Sequence, residues 1–131
     1  MPYSIGLSAY REDITSVKTE QDVAAADWLC NTANKNYLVY ADRHGWQLLY
    51  WKVGFPCATE IFPYDATLID SPSYLYFRTW NTQKKTLTFA ATYAARQSVS
   101  FNDISGLPQL VESGNRIYNT GGAQVLAVKG P

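Results

Sequence analysis

Apolar residues along the chain follow several different spacings, and each spacing predicts a different element. From Thr19 to Asn34 they recur at Val23, Ala26, Leu29, Cys30 and Ala33, the three-and-four spacing of one helix face. Thr19 is placed to cap this helix, with Asp22 three positions on. A helix with that stripe packs on a sheet, and Trp28, off the stripe, covers its rim. NYLVYAD, Asn36 to Asp42, puts Leu38, Val39 and Tyr40 in succession, as expected of a central strand buried on both faces. Helical spacing returns from about Gly45 through Trp46, Leu49, Tyr50 and Val53, and Gly54 can end it. Cys57 to Pro63 is extended again, so residues 36–63 read as a β-α-β unit with parallel strands.

PYDATLIDSPS, from Pro63 to Ser73, reads as a surface loop. SYLYFRTWN follows, with strict alternation: in an extended chain Leu75, Phe77 and Thr79 share one side, and Tyr74, Tyr76, Arg78 and Trp80 the other. The polar NTQKK then leads into TLTFAATYA, which predicts a hairpin between the two runs. Ser98 to Ser113 is either a short helix or irregular, limited by Gly106 and Pro108. RIYNTGGAQVLAVK predicts a second hairpin, because Asn119, Gly121 and Gly122 tolerate positive φ. The expected architecture is one compact α/β domain over residues 1–131. It has a mixed β-sheet, helices packed on it and a C-terminal β-hairpin, after an irregular lead-in over residues 1–15.

Composition narrows the function more than the fold. At 131 residues, 47% of them hydrophobic, the chain supports one core. Eleven basic residues balance eleven acidic ones, so nothing draws the surface to phosphate backbones, and nucleic acid is not an expected partner. No apolar run approaches the ~18 residues of a membrane span, and the opening residues lack a basic region followed by an apolar one. The expectation is a soluble polypeptide without a membrane span of its own. Cys30 and Cys57 either form a disulfide outside the cytoplasm or sit as small buried hydrophobes.

Phosphate loops, dinucleotide fingerprints and nucleophile elbows are all missing from the sequence, and a single histidine excludes a metal site built on several imidazoles. Neither a cofactor nor a metal is expected. Catalytic candidates reduce to Asp42 and His44, at the carboxyl end of the central strand, where open α/β sheets place ligands. They could form an acid–base pair. The simpler account has Asp42 capping the following helix, with Arg43 and His44 exposed in its first turn. Glu60, Asp65 and Asp70 flank the proline-rich loop and are read as solvated loop acids rather than a glycosidase-type pair. Tyr74, Tyr76, Arg78 and Trp80 are candidate ligand-binding residues: a shelf for sugar rings if exposed. If buried, they form the second face of a central strand, with Arg78 reaching the edge or pairing with an acid such as Asp42.

Four segments carry a resemblance: DVAAADWLCN, YLVYADRHGWQLLYW, SYLYFRTWN and RIYNTGGAQVLAV. Taken in order, they resemble the soluble C-terminal domains of large polytopic membrane proteins, many of them archaeal. The membrane parts of those proteins look like lipid-linked-sugar glycosyltransferases. The resemblance covers about residues 16 to 128 and contains no catalytic signature. It implies an extracytoplasmic, non-catalytic accessory or interaction domain whose partner is the membrane portion of its own parent, or a carbohydrate. The alternative from the residues alone is a small α/β enzyme or ligand-binding protein with its site near Asp42 and His44.

Overall fold

The computed structural model describes residues 19–32, 34, 36–52, 59–69, 72–92 and 95–128. Its helices are α1 (Glu20–Thr32), α2 (Arg43–Lys52), α3 (Thr79–Lys84) and α4 (Leu107–Ser113). Its strands are β1 (Leu38–Ala41), β2 (Thr59–Ile61), β3 (Ser73–Phe77), β4 (Thr86–Thr92), β5 (Ala95–Ser100), β6 (Asn115–Asn119) and β7 (Gln124–Val128). Short 3-10 turns occupy Ala66–Leu68 and Phe101–Asp103.

Five strands form one mixed sheet in the order β2-β1-β3-β7-β6. β2, β1 and β3 are parallel, with Val39 opposite both Thr59 and Tyr74. β7 runs antiparallel to β3, Tyr76 facing Val125, and β6 closes the C-terminal hairpin. The fold is therefore α/β with a mixed sheet, helices packed on it and a terminal hairpin, and the β-α-β unit over β1, α2 and β2 is present.

α1 begins where the Thr-x-x-Asp spacing places it. The Thr19 amide donates to Asp22 Oδ2 at 3.0 Å, and the Asp22 amide donates to Thr19 Oγ1 at 3.2 Å, so each residue satisfies an amide of the other. The face carrying Ala25, Ala26, Leu29 and Cys30 packs with Leu48 and Leu49 of α2 against Val39, Ala41, Tyr74, Tyr76 and Val125. At the end of the sheet, Trp28 stacks on Tyr118 of β6, with centroids 4.8 Å apart. Leu75, Phe77, Leu126 and Val128 point the other way, into a second core with Phe62, Leu87, Phe89, Phe101, Ile104 and Leu107. Both faces of β3 are covered, so every residue from Ser73 to Phe77 is buried. Truncating a residue such as Leu75 to alanine there costs about 2–5 kcal/mol.

Two expectations are corrected. NTQKK does not turn β3 into β4. The strand stops at Phe77, Asn81 Oδ1 accepts the Arg78 amide at 2.8 Å, and a six-residue helix, α3, runs to Lys84. Lys85 ends it in the left-handed region, φ 54° and ψ 43°, its amide donating to the Asn81 carbonyl. β4 pairs instead with β5 in a separate antiparallel ribbon, Leu87 opposite Val99. α2 starts at Arg43, two residues earlier than its apolar spacing implied, because Asp42 caps it.

Candidate functional site at the strand ends

The connectivity defines where a ligand site would form. From β1 the chain crosses one face through α2 to β2. It then returns on the other face, where Phe62, Ala66 and Ile69 join the second core, and enters β3 on the far side of β1. The chain therefore diverges between the carboxyl ends of β1 and β3, the switch point at which open α/β sheets bind ligands. Asp42 directly follows β1, and Arg78 directly follows β3.

These two side chains fill the crevice themselves. Asp42 and Arg78 are both fully buried and form an ion pair, Nη2 to Oδ2 at 3.4 Å, with Arg78 Nε at 3.4 Å from Oδ1. The closer donors to the carboxylate are neutral: the Gly45 amide on Oδ1 at 2.9 Å, and Asn81 Nδ2 at 2.9 Å and the Thr88 amide at 3.1 Å on Oδ2. Arg78 thus supplies the compensating charge, and the neutral groups supply the tight geometry. Asn81 also donates to the Thr86 carbonyl at 3.0 Å, so one carboxylate ties together the starts of α2, α3 and β4.

A second buried acid, Asp22, reinforces α3. Its Oδ1 accepts the Thr79 amide at 2.6 Å and the Thr79 hydroxyl at 2.9 Å. Tyr76 donates its hydroxyl to the Asp22 carbonyl oxygen at 2.7 Å. Burial, then the nearby Asp22 charge, pushes the Tyr76 phenol well above its ordinary value.

Chemically, the arrangement is closed. Five donors surround the Asp42 carboxylate: the Gly45 and Thr88 amides, Asn81 Nδ2, and Nε and Nη2 of Arg78. His44 is not an exposed first-turn residue: it is 2% exposed, with Arg43 half-buried beside it. A general base must reach a substrate proton, and a fully buried carboxylate saturated with donors offers it no approach.

Tyr74, Tyr76 and Arg78 do not form an exposed shelf, because α1 and α2 pack over that side of β3. Trp80 belongs to α3 rather than to the strand; half-buried, its ring centroid lies 5.8 Å from the Arg78 guanidinium carbon. Tyr74 accepts the Asn34 amide on its hydroxyl at 3.0 Å.

Glu60 is exposed on β2, and Asp65 caps the first 3-10 turn, accepting the Thr67 hydroxyl at 2.6 Å and its amide at 3.0 Å. Those two bonds hold the Asp65 carboxyl below its ordinary value. Asp70 lies outside the described residues, as does Cys57 and with it any pairing to Cys30, which is 2% exposed in the first core. Among the described residues no three His, Cys, Asp or Glu side chains gather as a metal site.

The model of a family described as predicted membrane protein, DUF2206, matches residues 1–126. The chain belongs to this family. No curated protein and no solved structure matches it. Among the described residues of this DUF2206 chain, no helix is long and apolar enough to cross a membrane. The residues that organise its strand ends, Asn81, Thr88 and Asp22, were not candidates on sequence grounds. Only Asp22 left a signal, the capping spacing from Thr19, and that signal does not announce its reach to Thr79.

Proposed function

We propose that this chain is a non-catalytic accessory or interaction domain of a membrane-embedded, glycosyltransferase-like protein, held on the extracytoplasmic face. One observation carries the reading: the crevice between β1 and β3, where such sheets receive ligands, is occupied by the fully buried Asp42–Arg78 pair and its hydrogen-bond partners. Membership of a predicted membrane protein family connects the chain to a membrane setting. The likeness of its four segments to domains of glycosyltransferase-like proteins supports the finer assignment. In this role the domain shapes an acceptor or contacts the membrane portion of its parent, and the transfer chemistry belongs elsewhere in that parent.

Incubation of the purified chain with lipid-linked and nucleotide-activated sugars tests the proposal, and no turnover is expected. Hydrolysis or transfer by the chain alone, abolished by Asp42→Asn or His44→Ala, would remove it. When the chain and the rest of its parent are produced as separate polypeptides, they are expected to co-purify in detergent.

A further inference from the structure

We propose that the groove bounded by α4, the Phe101–Asp103 turn and the β6–β7 ladder binds the phosphate ester of a small polyol. This site is separate from the strand-end crevice and does not depend on the function proposed above. The groove encloses about 670 Å³, within the range of ~300–1,000 Å³ typical of small-ligand sites. Its apolar lining comes from Phe101, Val111 and Leu126. Two exposed cations, Lys85 and Arg116, line it from opposite elements, one ending α3 and the other on β6. Among the described residues neither forms an ion pair, and with Glu112 in the same lining the groove keeps a net positive charge. A phosphate matches that combination, taking a point charge from lysine and a fork of donors from arginine.

Asn102 and Glu112 also line the groove and are exposed. A carboxylate beside a phosphate site repels any phosphate, but with an ester it also accepts hydrogen bonds from hydroxyl groups on the body that carries the phosphate, a gain the free ion lacks. The polar lining therefore selects a hydroxylated ester over the free ion.

Lys85 adds an independent observation. Its backbone is left-handed, a conformation that glycine holds without strain and an L side chain does not. That backbone is pinned on both sides: its amide donates to Asn81, and its carbonyl accepts the Phe101 amide, both at 2.8 Å. A lysine thus stands on a strained, fixed main chain at the wall of the groove, the kind of strain that gathers where side-chain placement is used.

The shared chemistry, a phosphate on a glycerol-sized polyol, is found in soluble esters and in lipid headgroups, and the test separates the two. The chain, isotope-labelled, is titrated with sn-glycerol 3-phosphate at matched ionic strength, and amide shifts are followed by NMR. Shifts are expected to cluster at Lys85, Phe101, Asn102, Glu112, Gly114 and Arg116. Lys85→Gly and Arg116→Met are each expected to weaken binding about tenfold, as befits a lost charge-assisted bond. Lys85→Gly should keep or raise the melting temperature, so its loss of binding cannot be read as unfolding. Flotation with phosphatidylcholine vesicles containing phosphatidylglycerol, reversed by glycerol phosphate, identifies a lipid headgroup; shifts without flotation identify a soluble ester. Shifts that are absent, scattered over the surface, or unchanged in both variants overturn the proposal.

Discussion

Replacing Arg78 by methionine removes the charge facing Asp42 and keeps an unbranched side chain of similar reach. At 3.4 Å and an effective dielectric of ~20, the attraction lost is about 5 kcal/mol before desolvation is counted. Both groups are fully buried, so the remaining carboxylate keeps three neutral donors and no counter-charge. Breaking a buried pair from one side costs about 3–5 kcal/mol, a large part of the roughly 5–15 kcal/mol that stabilises a domain. For a chain of this size the melting temperature should fall by roughly 10–20 °C.

Asp42→Asn should be comparably harmful, because an amide at Oδ2 would meet two donors, Asn81 Nδ2 and the Thr88 amide. The double variant should lose less than the two single losses added, by up to about 3 kcal/mol, since the orphaned partner is then gone. Urea unfolding followed by tryptophan fluorescence, with the slope m checked for constancy, measures all four corners of the cycle. If Arg78→Met stays within about 1 kcal/mol of the parent, the crevice is not held by this pair, and the argument for a closed site fails with it.

Gly122→Ala should destabilise by about 1–3 kcal/mol in thermal melts, because its Cβ would lie 2.7 Å from Thr79 Oγ1, and two bonds to Asp22 stop Thr79 from yielding. Gly121→Ala meets nothing within 4 Å, so its loss should reflect only the backbone at φ 95°, about 1 kcal/mol. Asp22→Ala should cost about 2–3 kcal/mol by orphaning the Thr79 amide and the α1 cap together, read by the same denaturation assay. Tyr76 supplies a pH dependence. Its raised pKa means the native state keeps a proton that the unfolded chain releases near pH 10, so this stabilisation is complete below that pH and is lost as pH climbs towards the folded value. Alkaline unfolding should therefore be steep, and Tyr76→Phe should flatten it while lowering stability at neutral pH through the lost bond to the Asp22 carbonyl.

Segments whose order comes from local spacing were legible in the sequence. α1 declared itself through its stripe and its Thr-x-x-Asp cap, β1 through consecutive apolar residues, and the last hairpin through Asn119 to Gly122. The alternation of SYLYF was also real, and the choice between shelf and buried face was decided by α1 and α2, which lie far from β3 in sequence. Arg78 pairs with Asp42, one of the partners its position suggested. What failed was the segment after Phe77. NTQKK is polar enough to be a turn, and only contacts from outside it, Asp42 on Asn81 and Asp22 on Thr79, make it helical. β5 escaped notice because no glycine or asparagine marks a turn in TYAAR. The Asp42 cap was legible, but the burial of His44 was not, since a first-turn histidine carries no mark of what covers it.

The position of β7 bears on how the protein is made. β3 is apolar on both faces, and one of its edges is covered by β7, the last strand of the sheet among the described residues. While the chain is being synthesised, β1, β2 and the ribbon of β4 and β5 emerge first, and SYLYF waits with an open, sticky edge until residue 128 has left the ribosome. Completion of the sheet therefore waits on β7, and nascent chains stalled before it should be the species that chaperones hold and that aggregate when synthesis outruns them.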